Sequence, residues 1–285
     1  MKGHIKKRSF SAAAAVCLAP PTTRRASFRC AAAAAKDFFF FQLRMAASKG
    51  RVPIARVDHS LDKLIAFQPR KVSTYLDFVA FWARAAAFLI ERYGREGQAE
   101  AVSFIDGMGR LYSSAASIYR KNLSTTKRPS YLLHPSFLFI ALTDPHLLCV
   151  PSLHVMIVIR AYTHFREIVR RRGDEEALAE DIAMLREGAV AITEAVLYVK
   201  QHSVNCISAS MYTMTRFDPA LFPPEEAERF AADLFRSCRD PSRENAASIR
   251  AHIVALYRRF LEEGRKAEDW RAPILKFLSR QPRFG

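Results

Sequence analysis

One helix stands out in residues 151–172, which read PSLHVMIVIRAYTHFREIVRRR. Pro151 and Ser152 suit the start of a helix, because proline has its φ preset there and a serine hydroxyl can accept from the free N–H groups. Large apolar residues then recur at spacings of three and four, the period of one helix face. They are Val155, Ile159, Tyr162 and Phe165. The pattern predicts an amphipathic helix that ends near Arg172.

The same period recurs on both sides of this stretch. It predicts helices at about 73–93, 98–119, 135–142, 174–214 (with a bend), 224–238, 241–264 and 269–279. Residues 120–130 are basic and polar and predict a loop, since proline at 129 disfavours helix in the residue before it. No internal repeat or strand-like alternation is visible. We therefore predict an all-α fold, a single-domain helical bundle over residues 51–285.

Positive charge is concentrated near the start of the chain. The 285 residues carry a net charge of +16. Residues 1–44 hold nine Lys or Arg against the single acid Asp37, which is half of the excess. Such a bias suits anionic partners, namely phosphate esters, anionic lipid surfaces or nucleic acid. Nucleic acid is not expected, because no aromatic–basic motif or helix-turn-helix pattern accompanies the charge.

Residues 1–50 form a basic leader in this interpretation. They are expected to be disordered, or to precede a true start at Met45. A secretory signal is disfavoured, because the apolar run after the basic start is short and rich in alanine. The phenylalanine run 38–41 is unexplained by this interpretation, and its two alternatives are a surface anchor and an artefact of a misassigned start. The predicted location is cytoplasmic or peripheral to a membrane.

Cysteine usage bears on metals and on the compartment. The five cysteines are an odd number and form no C-x-x-C pair, so neither a disulfide framework nor a zinc site is expected. Free thiols suit a reducing compartment.

No stretch has the uniform apolar character of a membrane span. The most apolar region, residues 131–159, is interrupted by Pro135, Asp144, Pro145 and Pro151, whereas a spanning helix needs about 20 mainly apolar residues. Buried core helices are the favoured interpretation, and peripheral contact with a membrane stays open.

Three short patterns carry groups suited to phosphate chemistry. The first runs from Lys121 to Arg128 and Pro129, the second is Pro151-Ser152-Leu153-His154, and the third is Lys200-Gln201-His202. A phosphate ester is anionic, so fixed cations are needed to bind it, and arginine can hold two of its oxygens at once. Imidazoles can act as nucleophile and as general acid.

These patterns resemble the type 2 phosphatidic acid phosphatase and vanadium haloperoxidase superfamily. That superfamily carries K-x6-R-P, then P-S-x-H, then S-R-x5-H-x3-D. The P-S-L-H and K-Q-H variants look like the branch that contains inositol-phosphoryl transferases. The resemblance covers roughly residues 72–215 and implies a helical bundle of the acid phosphatase type.

The resemblance also implies roles for individual residues. His202 would attack phosphorus to give a phosphohistidine, and His154 would protonate the leaving oxygen. Phosphate would be bound by Lys121, Arg128, Ser152 and Lys200. No metal or other cofactor is implied, and vanadate would act as a phosphate mimic. The implied partner is a phosphate ester, with a lipid phosphate as one candidate, while the oligomeric state stays undetermined. His134 and His146 match no motif and are expected to be structural.

The third pattern departs from the superfamily. The family Ser and its Arg or Thr fall on Ala195 and Val196, and the family Asp falls on Cys206. Glu194 is one substitute for that missing carboxylate. Two hypotheses follow. One is a metal-independent histidine phosphatase or phosphotransferase. The alternative is a catalytically impaired helical protein that keeps the fold and binds phosphate or lipid.

Overall fold

The computed structural model describes residues 5, 8–48, 52–129, 131 and 134–284. Helices dominate this part of the chain, as predicted. Near the start they are α1 (Phe10–Leu18), α2 (Pro21–Ala34) and α3 (Phe41–Ala47), with a π-helical stretch, Ala35–Phe40, joining the last two. They continue with α4 (Val72–Leu76), α5 (Phe78–Tyr119), α6 (Pro135–Thr143), α7 (Leu153–Arg171), α8 (Ala179–Tyr198), α9 (Val204–Phe217), α10 (Pro224–Asp233), α11 (Arg243–Arg265) and α12 (Ala272–Ser279). The all-α bundle is therefore confirmed.

Helix α7 lies at the centre of the bundle. It packs against α5, α8 and α9, and α11 covers the other side of α9. The apolar residues that predicted this helix, among them Ile159 and Phe165, are completely buried. Each such side chain stabilises the fold by roughly 1.5–3 kcal/mol through burial alone. Because the helix is rigidly held on all sides, the group at its start, His154, has a fixed position.

A small sheet supplements the helices, although no strand was predicted. Strand β1 (Ile54–Arg56) pairs in parallel with β2 (Leu123–Thr125) and antiparallel with β3 (Arg283–Phe284). Each strand has only two or three residues, too few to show an alternating pattern in sequence. The sheet ties both ends of residues 52–284 to the segment after α5.

The prediction of a disordered leader at 1–50 is wrong for most of that range. Residues 10–47 are helical, and α1 and α2 pack along α5. Ala13 and Ala26 are completely buried, and the thiols of Cys17 and Cys30 are nearly so. Small side chains let the helices approach closely, so a sequence rich in alanine can form a packed layer. Residues 1–4, 6–7 and 49–50 of the leader, and Ser130 of the predicted 120–130 loop, lie outside the described residues.

Two predicted helix boundaries differ from the structure. The helix predicted at 73–93 begins in the short helix α4, and the rest of it joins the helix predicted at 98–119 in one element, α5. This element has a kink at Gly94, whose φ of 58° and ψ of −126° are non-helical. The helix predicted at 174–214 is instead two helices, α8 and α9, separated by residues 199–203. Lys200 has a φ of 56°, and this left-handed turn ends α8.

Within the described residues, one helical segment, Pro69–Tyr119, is long and apolar enough to cross a membrane by length and composition. Core helices of soluble proteins meet the same criterion. About 44% of its most apolar window is buried against the rest of the protein.

The contact between α9 and α11 leaves no room for an added methyl group at Gly264. A Cβ there would lie 2.2 Å from Oη of Tyr212, a hydroxyl that donates to the Trp270 carbonyl at 2.7 Å. We expect Gly264→Ala to lower the free energy of unfolding by about 1–3 kcal/mol, because the tyrosine must shift within a packed core. Urea denaturation measures this, with the exposed Ser248→Ala in α11 as control. Equal stability of the two variants would contradict the close contact.

Candidate functional site

The second motif is held against the small sheet. Leu147 and Cys149 pair with the backbone of Ser124, whose N–H donates to the Leu147 carbonyl at 2.9 Å and whose carbonyl accepts from Cys149 at 3.2 Å. The Ser124 hydroxyl accepts from the Val150 N–H at 2.9 Å. These bonds fix the loop before α7, so His154 projects from the first turn of that helix.

The third motif occupies the turn between α8 and α9. The N–H groups of Gln201 and His202 both donate to the Val196 carbonyl, at 3.0 and 3.2 Å. His202 therefore precedes α9 instead of lying on a helix. Its Nδ1 is 3.2 Å from the backbone carbonyl of Cys149 in the second motif. A carbonyl oxygen only accepts, so this contact favours the tautomer with the proton on Nδ1 and a free lone pair on Nε2.

The two predicted histidines face each other. The ring centroids of His154 and His202 are 5.8 Å apart, with the planes at 63°. Aromatic rings cover His154: Tyr75 stacks on it with the centroids 4.4 Å apart, and Phe78 lies at 4.1 Å. These contacts fix the ring of His154, which also meets the ring of His202 edge to face.

A small cavity lies at the histidine pair. Its volume is about 20 Å³, which is room for about one water molecule. The residues that line it are Phe38, Gln42, Asp144, His146, Leu148, Cys149, Leu153, His154 and His202. The lining mixes three imidazoles with one carboxylate, so it is suited to proton transfer. A phosphate group is larger than one water molecule and can enter only if a lining side chain moves.

Arg128 supplies the positive charge beside the cavity. Its guanidinium donates to the Asp144 carbonyl at 2.9 Å and to the Asp144 carboxylate at 2.5 Å. Its Nε is buried without a hydrogen-bond partner among the described residues. The arginine lies close enough to His154 and His202 for its charge to lower the pKa of both. One cation is therefore available to an anion bound between the rings.

The imidazoles of the cavity are neutral at pH 7. Burial lowers the pKa of His202 to about 3, with Arg128 adding to the effect and the bond to the Cys149 carbonyl opposing it. Burial, followed by His202 and Arg128, holds the pKa of His154 well below its usual range. Burial and Arg128 act in the same way on the pKa of His146. A neutral His202 has the lone pair that a nucleophile needs.

Ser152 lies next to the site but is held by α9. Its N–H donates to the hydroxyl of Ser210 at 2.8 Å, and its carbonyl accepts from the same hydroxyl at 3.2 Å. The Ser152 hydroxyl is buried and has no partner among the described residues. Its role as a phosphate ligand stays a prediction.

Two of the predicted phosphate ligands lie elsewhere. The left-handed turn directs Lys200 away from His202, and its ammonium donates to the backbone carbonyls of Asp62 and Ile65. Lys121 follows the last turn of α5 and lines a different cavity, described below. The predicted convergence of four residues is therefore wrong for Lys121 and Lys200, whereas Arg128 does lie near both histidines.

Among the described residues, neither of the two positions considered for the missing carboxylate is hydrogen-bonded to His202. The carboxylate of Glu194 accepts from the Phe235 N–H at 2.5 Å and from the Cys238 thiol at 3.4 Å, in another part of the bundle. The thiol of Cys206 accepts from the Ser203 N–H at 3.4 Å, within the cap of α9. The Cys149 carbonyl occupies the position that a carboxylate would have beside Nδ1.

Sequence reasoning missed several residues of the cavity. His146 was expected to be structural, yet it lines the cavity, and its Nε2 lies 2.8 Å from the Thr126 hydroxyl. Asp144 was noted only as one of the residues that interrupt the apolar region 131–159. Both residues lie within ten positions of His154 in the sequence. This closeness to the second motif is the one feature that could have indicated them.

Among the described residues, no group of three or more His, Cys, Asp or Glu is arranged to hold a metal ion.

Comparison with known proteins finds no match: no protein-family model, curated protein or solved structure matches this chain. Its resemblance to the phosphatase superfamily consists of the three sequence motifs, and the geometry of the site is the basis for a functional proposal.

Proposed function

We propose that the protein is a phosphoric ester hydrolase or phosphotransferase that acts through a phosphohistidine at His202, with a lipid phosphate as one candidate substrate. The contact between Nδ1 of His202 and the Cys149 carbonyl carries the proposal. It keeps Nε2 unprotonated and orients the ring, which is the task of the carboxylate in related catalytic arrangements. The motif therefore tolerates cysteine at position 206.

In the proposed first step, Nε2 of His202 attacks phosphorus and the bond from phosphorus to the ester oxygen breaks. The leaving oxygen takes a proton from the His154 imidazolium. In the second step, water attacks the phosphohistidine, gives its proton to His154, and the phosphorus–nitrogen bond breaks. An alcohol acceptor in place of water gives phosphoryl transfer. The ring centroids are 5.8 Å apart, the distance of an edge-to-face contact, so a lining side chain must move before the transferred group fits between the imidazoles.

Charge in the cavity supports anion binding once the ester enters. A dianion between the rings attracts a proton to His154, which counteracts the burial that lowers the pKa of this group. Arg128 can exchange its bond to the Asp144 carboxylate for two phosphate oxygens. Because Lys121 and Lys200 lie elsewhere, Arg128 is the one predicted cation that remains to bind phosphate. We therefore expect a higher KM than that of a site in which all three cations bind the substrate.

The role of His154 predicts a dependence on the leaving group. A poor alkoxide leaving group needs a proton, whereas p-nitrophenolate leaves without one. We expect His154→Ala to slow formation of the phosphoenzyme about 10²- to 10³-fold for an alkyl phosphate and by a much smaller factor for p-nitrophenyl phosphate. With the aryl ester, the phosphoenzyme should also accumulate, because the base for its hydrolysis is missing. The initial rate of acid-labile ³²P labelling measures the first effect, and the steady-state amount of label measures the second.

His134→Asn is a matched control, because asparagine keeps the cap of α6 that His134 provides through its contact with the Ser136 N–H. This variant should match the parent protein for both substrates. An equal loss in the rate of phosphoenzyme formation for both substrates in His154→Ala would rule out general acid catalysis by this residue.

The alternative is a catalytically impaired protein that binds phosphate or lipid without turnover. Two observations favour it: the cavity holds about one water molecule, and Lys200 is engaged by backbone carbonyls. Calorimetric titration with vanadate separates the candidates. Vanadate binding that requires Arg128, with no ³²P-labelled His202 and no phosphate release from any ester, would support the alternative.

A further inference from the structure

A second and much larger cavity lies beside α3. Its volume is about 470 Å³, within the usual range for small-molecule sites. The residues that line it are Phe41, Arg44, Met45, Val52, Pro53, Tyr119, Arg120, Lys121, Asn122, Leu123 and Arg283. Four of them are cations, and none of these described lining residues is an acid. The apolar members form the rest of the wall, so the cavity suits an anion with an apolar portion.

The positive charge of this cavity is poorly neutralised. Among the described residues, Arg120 has an ion pair, with Asp37, whereas Arg44 and Arg283 are exposed and have no ion pair. The sequence explains the imbalance. Residues 38–57 and 107–143, which supply most of the wall, contain nine Lys or Arg and no acid. An anionic ligand would therefore be attracted to these cations, and few carboxylates of the protein compete with it for them.

Exposed apolar side chains lie on the same helical segment as the cavity wall. Phe39, Phe40 and Leu43 are 47%, 68% and 52% exposed. Exposed large apolar groups next to cations are the pattern of helices that lie in the surface of a membrane. The apolar groups enter the boundary of the acyl chains, and the cations contact lipid phosphates.

We infer that residues 35–47 and the adjoining cationic cavity form a docking site for an anionic phospholipid surface. The cavity takes a headgroup phosphate through Arg44, Lys121 and Arg283, while Phe40 and Leu43 enter the apolar boundary. A nucleic-acid backbone would need cations in an extended row, whereas these converge on one cavity. This site is separate from the histidine pair and does not depend on the proposed catalysis.

Residues 35–47 also connect the two cavities. Phe38 and Gln42 line the histidine cavity, whereas Phe41 and Arg44 line the cationic one. The Gln42 side chain accepts from the Leu147 N–H at 3.3 Å. Docking through this helical segment would therefore bring the histidine cavity next to the membrane.

Co-sedimentation with vesicles tests the inference. Phosphatidylcholine vesicles with and without phosphatidylglycerol are suitable, because a phosphodiester headgroup is not a monoester substrate for His202. We expect binding only when phosphatidylglycerol is present. Each lost cation should weaken binding about fivefold, so Arg44→Gln combined with Arg283→Gln should weaken it about 25-fold. Phe40→Ser combined with Leu43→Ser should reduce binding as well.

Arg95→Gln is the matched control for charge. Arg95 is exposed and lies in α5, 25 residues before Arg120, which directly follows that helix. At the usual rise this places Arg95 about 37 Å from the cationic cavity. All the substituted side chains are exposed, so folding should be retained, and circular dichroism verifies this. His202→Ala should bind vesicles normally, which separates docking from catalysis.

Three outcomes would overturn the inference. The first is no binding to phosphatidylglycerol vesicles. The second is an equal effect of Arg95→Gln and of the Arg44 and Arg283 substitutions. The third is calorimetric binding of soluble glycerophosphoglycerol, the diester headgroup alone, that equals vesicle binding and is unaffected by the Phe40 and Leu43 substitutions, since this would identify a soluble phosphodiester ligand.

Discussion

Replacing His202 with alanine should abolish the phosphoenzyme and lower the rate of phosphate release on the order of 10⁴-fold. The expected effect is large because the substitution removes the atom that bonds to phosphorus, and no neighbouring group takes its place. His154 is held by Tyr75 and Phe78, and His146 by Thr126. Acid-labile ³²P incorporation and phosphate release from p-nitrophenyl phosphate measure the loss.

A second substitution separates chemistry from structure at this position. The side-chain amide of His202→Asn can still donate to the Cys149 carbonyl, so the turn between α8 and α9 should keep its stability, but the amide nitrogen has no nucleophilic lone pair. We expect this variant to fold like the parent protein and to be inactive. Labelling of His202→Asn at the parent level would exclude His202 as the nucleophile.

The fold was predictable where the sequence carries a repeated local pattern. The spacing of Val155, Ile159, Tyr162 and Phe165 predicts α7, and these side chains are buried, as is every other residue between Val155 and Phe165. The same reasoning failed at Lys200. A single residue with a φ of 56° ends α8 there, and nothing about a lysine indicates a positive φ, which is a conformation typical of glycine and asparagine.

The site was only partly predictable for the same reason. Linear spacing gives the order of the motifs but not the direction of a side chain at the end of an element. Lys121 lies two residues beyond α5 and seven before Arg128, yet Lys121 lines the cavity beside α3, whereas Arg128 is bonded to Asp144 next to the histidine pair. The Cys149 carbonyl was unpredictable in a stricter sense, because a backbone group has no signature in the sequence.

The leader shows how composition can mislead. A basic segment poor in acids and rich in alanine has the profile of a disordered tail. In α2, however, small side chains pack closely against α5. A methyl group added to Gly109 of α5 would lie 3.3 Å from the Cα of Cys30 in α2, which shows how near the two helices are. Close helix packing of small residues buries surface without the large apolar side chains by which a core is recognised in sequence.

The second large effect concerns stability and a buried carboxylate that joins three helices. Glu226 in α10 is 2% exposed. It accepts from Tyr162 of α7 at 3.0 Å and from Arg186 of α8 at 2.6 Å. Arg166 and Arg229 also pair with it, at 3.3 and 3.0 Å. The carboxylate therefore neutralises part of the positive charge of the guanidinium groups that surround it.

We expect Glu226→Ala to lower the free energy of unfolding by about 2–4 kcal/mol. Removing one partner of a buried pair costs about 3–5 kcal/mol, and the figure is reduced here because water reaches the arginines. Urea denaturation measures the change. Glu228→Ala on the same helix is the control, since its pair with Arg258 is on the surface and should contribute less than about 1 kcal/mol. Similar losses in the two variants would contradict the network.

The pH dependence of unfolding gives an independent test of the same carboxylate. Burial raises the pKa of Glu226, but the charges of Arg166 and Arg186 and the bonds from Arg186 and Arg229 outweigh it, so the folded-state pKa lies below the usual 4.5. A depressed carboxyl pKa means that the unfolded chain binds the proton more readily. The stabilisation is therefore complete above about pH 5 and is lost as the pH falls through the folded-state value. Glu226→Gln cannot titrate, so its stability should fall less than that of the parent protein below pH 4.5. If both proteins lose stability in parallel over that range, Glu226 is not the carboxylate that links the helices.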